Sequence, residues 1–131
     1  MPASPSAAFA RLPVVQSAAS RPELGVRKVD DVAVLDLKGC FTSDHTEHFR
    51  VGIQELLHGG TKKFVVNLAQ VTYMDSSGVG ALLAAYNSIQ AAEGKCKFVG
   101  APPQVLHTLR RMNLDKVFEL FEDERAAVSS F

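Results

Sequence analysis

From Leu24 onward the apolar positions fall into short runs whose spacing alternates between the period of a strand and the period of a helix. Leu24–Val29 and the stretch V-A-V-L-D-L of Val32–Leu37 flank Asp30-Asp31, which predicts two strands joined by a tight acidic turn. Beyond Gly39, Thr42-Ser43-Asp44 precede Phe49, Ile53, Leu56 and Leu57, which are spaced as one helical face, and Glu47 stands three residues past Asp44 as in a capping box. Gly59-Gly60 stop that helix. Phe64–Leu68 is a nearly unbroken apolar run, as suits an interior strand covered on both faces. A second helix is predicted after Asp75-Ser76-Ser77-Gly78. It sets Val79, Leu82, Leu83, Tyr86 and Ile89 on one face, carries small residues at Ala81, Ala84 and Ala85 for close approach to a sheet, and ends at Gly94. Cys96–Val99 reads as a strand. Pro102-Pro103 then open a helix with Val105, Leu106, Leu109 and Met112 inward and Arg110-Arg111 at its negative end. Val117–Phe121 reads as a last strand, and Asp123 caps a short helix through Val128. The order β-β-α-β-α-β-α-β-α predicts one α/β domain, a mostly parallel sheet with one strand added by the initial hairpin and helices packed around it.

The first 22 residues do not share this pattern. They hold four of the chain's six prolines among Ala and Ser, with no acidic side chain, and are expected to form a disordered tail ahead of a domain spanning 23–131. Arg11 and Arg21 give the tail something of the composition of a mitochondrial presequence, but Pro13 interrupts the amphipathic helix such a signal needs. Over the whole chain fourteen basic side chains balance fourteen acidic ones. That balance argues against nucleic-acid or membrane-surface binding driven by bulk charge. Every apolar run is cut by charge or glycine before it reaches the ~20 residues of a spanning helix. Cys40 and Cys96 have neither metal-site nor disulfide-framework spacing, and with no secretory signal in view a reduced, cytoplasmic setting is expected. Both cysteines are read as small buried apolar residues in or beside strands.

Candidate chemistry gathers where the central strand passes into the second helix. In open α/β sheets a loop leaving the carboxyl end of a strand and entering a helix is where ligands are met. Here it carries Asp75, Ser76, Ser77, Gly78 and Val79. One reading makes Asp75 and Ser76 caps and the glycines packing devices. The other makes Ser76 and Ser77 accessible hydroxyls, with Gly78 and Gly80 clearing bulk so that another protein can approach them. Glycine in a first helical turn costs up to about 1 kcal/mol each against alanine, which points toward access.

The segment VVNLAQVTYMDSSGVGALLAAY, with LKGCFTSDHTEHFRVGIQELLHGGTKKF before it and GKCKFVGAPPQVLHTLRRMNLDKVFELF after it, resembles a STAS domain of the bacterial anti-sigma factor antagonist family, over about Gly25 to Val128. The resemblance implies a protein without catalysis or cofactor of its own. It would bind a GHKL-type serine-kinase anti-sigma factor, free a sigma factor, and be switched off by phosphorylation. The serine directly after the motif aspartate is the family's target, which maps to Ser76, with Ser77 the alternative; a PP2C-type phosphatase would reverse the mark. Asp75, Ser76, Ser77, Gly78, Val79, Thr42 and Asp44 are the implied partner-binding residues. Where the family often has G-x-L-D at the end of its second strand, this chain reads Gly39-Cys40-Phe41-Thr42, with Asp44 two positions on. A STAS subunit of a lipid-transport or stressosome-like complex, not phosphorylated itself, is the alternative within the same family.

Other constellations carry less. His45 and His48, three apart on a predicted helix, lack a third metal ligand, so an exposed polar face accounts for them. No Walker A sequence occurs, and Gly78-x-Gly80 lacks the rest of a dinucleotide fingerprint. A hydrolase using Ser76 would need a G-x-S-x-G elbow and a nearby histidine, and the sequence offers neither.

Overall fold

The structure, a computed structural model, describes residues 23–43 and 45–131. The tail expected over 1–22 and the candidate partner residue Asp44 lie outside the described residues. Five strands form one sheet in the order β1-β2-β3-β4-β5: β1 (Glu23–Val29), β2 (Val32–Phe41), β3 (Lys63–Met74), β4 (Lys95–Val99) and β5 (Glu119–Phe121). β1 runs antiparallel to β2, and every other neighbouring pair is parallel. The helices are α1 (Thr46–His58), α2 (Ser76–Ala91), α3 (Pro103–Arg111) and α4 (Glu124–Ser129).

Because the parallel strands follow one another in a single direction across the sheet, right-handed crossovers place α1, α2 and α3 on the same face. The main core lies there. Leu35 and Leu37 of β2, Phe64, Val66 and Leu68 of β3, and Phe98 of β4 meet Phe49 and Ile53 of α1, Val79, Leu82 and Ile89 of α2, and Val105 and Leu109 of α3. The rings of Phe41 and Phe49 meet edge to face at 5.4 Å, joining the end of β2 to α1. The opposite face carries a smaller cluster of Val32, Val34, Val65 and Val99, covered by Ala127 of α4 and by Phe131.

Several details differ from what the pattern predicts. β3 continues to Met74 instead of ending at Leu68, because β2 stays paired with it through Phe41↔Met74. Register shifts between Asp36 and Lys38 and between Gly39 and Cys40 break the alternation that would have marked the extension in the sequence. α1 begins at Thr46, its N-cap His45 makes no side-chain cap, and Glu47 accepts from Arg50; Asp44 of the expected capping box lies outside the described residues. α3 ends a residue before Met112, which is 46% exposed. Val117 lies beyond a short 3₁₀ turn, Leu114–Lys116, and is exposed, so the last strand keeps three residues. Cys40 is exposed on β2 and corrects the buried reading, while burial of Cys96 pushes its thiol up to about 12. Asp123 caps α4 as expected, accepting from the Ala126 N–H at 2.8 Å.

Candidate functional site

The extension of β3 sets the position of the site. By carrying the strand to Met74, the sheet delivers Asp75 at its carboxyl edge, and α2 starts at once with Ser76 and Ser77 as its first two residues. Asp75 adopts an extended backbone, and its Oδ1 accepts the Gly78 N–H at 3.0 Å; its carbonyl accepts the Val79 N–H at 3.0 Å. The helix is therefore capped by Asp75, and neither serine is needed for that role. Both serines are exposed.

Gly78 and Gly80, read together from sequence as clearing the same approach, separate in the structure. A Cβ on Gly78 would lie 2.1 Å from the Phe41 carbonyl oxygen and 2.8 Å from the Met74 Cγ, so this glycine lets the first turn of α2 pack on the end of β2. A Cβ on Gly80 would meet nothing within 4 Å. Val79 is fully buried in the main core. Of the expected cluster, then, Asp75, Ser76 and Ser77 form the outward surface, while Gly78 and Val79 hold the turn from behind. Thr42 is half-buried just past the end of β2, its carbonyl accepting the His45 N–H at 2.9 Å. Asp44, two residues further on, is not described.

Two features of this edge escape sequence reading. Tyr73, directly opposite Cys40 in the β2–β3 register, is 55% exposed at the carboxyl end of β3. No alternation in Val71-Thr72-Tyr73-Met74 announces that direction. The second is a groove of about 280 Å³ between α1 and α2, with Ile53, Ala81 and Ala85 among the residues lining it and Thr46, Arg50 and Ser77 toward the helix starts. Arg50 donates to Glu47 across one turn, through Nε at 3.1 Å and through a second, shorter contact. Its guanidinium holds the Glu47 carboxyl below the usual range.

Among the described residues no group of three or more His, Cys, Asp or Glu could hold a metal ion, and no helix is long and apolar enough to cross a membrane. The arrangement offers hydroxyls at a helix start, the end where the backbone dipole favours negative charge.

Residues 23–127 match the family model of the STAS domain. Solved structures with similar folds include an anti-sigma factor antagonist from Mycobacterium paratuberculosis, 22% identical over 88% of this chain and 97% of that one, TM-score 0.78. A candidate anti-sigma factor antagonist from Thermotoga maritima is 23% identical over 82% of this chain and 92% of its own, TM-score 0.77. The Bacillus cell fate determinant SpoIIAA in its phosphorylated form is 21% identical over 82% and 98%, TM-score 0.68. At these identities the likeness to solved structures is one of fold.

Proposed function

The chain belongs to the STAS domain family, and from that premise we propose that it is a cytoplasmic anti-sigma factor antagonist. In this reading it has no enzymatic activity of its own. It binds a GHKL-type serine-kinase anti-sigma factor, which transfers phosphate to Ser76, and a PP2C-type phosphatase removes it. One observation carries the reading: Asp75 caps α2, so the exposed hydroxyls of Ser76 and Ser77 are not used to hold the fold.

The physics of a switch follows from that arrangement. A phosphoryl group adds about −1.5 to −2 charges, and at the start of a helix the dipole tolerates them. The same charges placed in a contact surface are uncompensated once a partner excludes water. Phosphorylation would thus block an interface while leaving the domain folded. Asp75 beside it adds to the repulsion of any acidic partner surface. Asp75, Ser76, Ser77 and Thr42 are the proposed contact residues on described chain; Gly78 and Val79 contribute by setting the turn, and Asp44 completes the set named from sequence.

Incubation with the cognate kinase and ATP, followed by mass mapping, tests the assignment, with label expected on Ser76. Label on Ser77 alone would move the site by one residue. A kinase that binds but labels neither serine would refute the switch and favour a STAS subunit that is not itself phosphorylated.

A further inference from the structure

The two serines at the start of α2 look onto different surroundings. Ser77 lines the groove between α1 and α2, whereas Ser76, one step round the helix, is exposed outside it. α1 and α2 run parallel, because each returns from the carboxyl end of one of two neighbouring parallel strands, so both N-termini open on the same edge of the sheet. Side chains on a helix lean toward its N-terminus. Arg50 follows that lean and reaches back to Glu47 in the first turn of α1, and both line the groove with Ser77.

Arg50 is the basic side chain among the residues lining this groove. Its present partner holds it weakly, since both members of the pair are more than half exposed. A phosphate offers a guanidinium more than a carboxylate does: higher charge and three acceptor oxygens that suit a two-pronged donor. Among the described residues the acid lining the groove is Glu47, which an exchange would release, and Asp75, next to Ser76 in the chain, is occupied with the cap.

We infer that Arg50 is the residue with which this chain receives a phosphoryl group on Ser77, leaving Glu47 for the phosphate and closing the mouth of the groove between α1 and α2. A phosphoryl group on Ser76 stays outside the groove and addresses the partner alone. The inference rests on the reading that the first turn of α2 is a phosphorylation target. In the transfer itself a nucleoside triphosphate supplies the phosphoryl group: the bond from its γ-phosphorus to the bridging oxygen breaks, a bond to Ser77 Oγ forms, the diphosphate leaves, and the hydroxyl proton passes to the kinase's base. The two hydroxyls then give one protein two distinct marks, one read by another chain and one that tightens α1 against α2.

The test installs phosphoserine during translation at position 76 or at position 77, without any kinase, and follows each phosphate by ³¹P NMR across pH. The second ionisation of phosphoserine ordinarily falls near pH 6. At position 77 it is expected to lie about one unit lower with Arg50 present than in Arg50→Ala, as an adjacent cation favours the charged form. Arg50→Lys should restore part of the shift. At position 76 Arg50→Ala should change nothing. Equal midpoints with and without Arg50 at position 77, or the same dependence on Arg50 at both positions, would overturn the inference. So would a chain that loses its fold by circular dichroism with phosphate at position 77, since the groove would then lack the room required. Because no kinase takes part, a kinase that labels neither serine counts against the proposed function and leaves these titrations to be judged on their own.

Discussion

Gly78 and Gly80 stand two residues apart in one helical turn and meet opposite surroundings. At Gly78 any β-carbon would collide with the carbonyl of Phe41, a backbone atom that moves only if β2 moves with it. Gly78→Ala is therefore expected to cost about 1–3 kcal/mol, the range of overpacking. Gly80→Ala, into open space, should be neutral or stabilising by up to about 1 kcal/mol through helix propensity. Urea unfolding of the two variants separates these outcomes, and equal midpoints would contradict the packing account. Asp75→Ala removes the acceptor for the Gly78 N–H and should cost about 1 kcal/mol, whereas Ser76→Ala should cost far less, since the cap is not its task. The sequence reading held both possibilities for this turn, caps or open access. The structure divides them among neighbours: Asp75 caps, Gly78 packs, and Ser76, Ser77 and Gly80 face outward.

At the scale of elements, α4 is the helix least anchored by apolar burial, with six residues and one fully buried side chain, Ala127. Polar contacts at both its ends compensate. At its start Glu124 accepts from Arg27 of β1 at 2.7 and 3.1 Å, and the same guanidinium donates to Asp36 of β2 at 2.6 and 2.9 Å. Just past its end, Ser130 Oγ accepts from Lys97 at 2.7 Å, and the Lys97 ammonium lies 4.6 Å from the centre of the Phe131 ring. Lys97 is buried in β4. Its partners arrive from β5, where Glu119 lies 3.1 Å from the ammonium, and from Ser130, 33 residues further along the chain. Lys97→Ala should cost about 1.5–3 kcal/mol, as for a hydrogen bond from a charged donor, and should raise amide exchange across 124–130 while leaving α2 protected. Uniform loosening of both segments would argue against a local anchor.

The same network makes stability depend on acid. Arg27 first, then Asn67, hold the Asp36 carboxyl below its ordinary value, against the opposing effect of burial. A carboxylate depressed in the folded state binds its proton less readily than in the unfolded chain. Its contribution is therefore complete above the unfolded value, near 4, and is lost as pH falls through the lower folded value. Wild-type thermal stability should accordingly drop on acidification below about pH 4 more steeply than that of Asp36→Asn. Parallel acid profiles for the two proteins would remove Asp36 from the account.

For the molecule as a whole, the sheet puts the starts of α1 and α2 on one edge, with Thr42 just past the end of β2 and Asp75, Ser76 and Ser77 just past the end of β3. Under the proposed function, Ser76→Asp should stay folded and bind the kinase more weakly than Ser76→Ala, by about 2 kcal/mol or more, because a carboxylate at that place enters the contact without a counter-charge. Calorimetric titration giving equal affinities would contradict it.

The order of strands and helices, the acidic hairpin turn and the Asp123 cap follow from residues close together in the chain, and local periodicity, turn chemistry and capping were enough to read them, while the Asp75 turn stayed open between cap and access. The STAS resemblance likewise rests on a continuous stretch around Asp75-Ser76-Ser77-Gly78. What tertiary structure alone decided depends on distant residues meeting. β3 reaches Met74 because β2 continues beside it through two irregularities, and Gly78 is enclosed because Phe41 ends that neighbouring strand. Cys40 faces outward where its strand identity suggested burial, and Lys97 is buried among partners from β5 and from the end of the chain. Ser77 and Arg50 share a groove because two parallel crossovers lie side by side. Periodicity fixes which face a residue takes only while the ladder is regular; past a register shift, the partner strand sets the direction of each side chain.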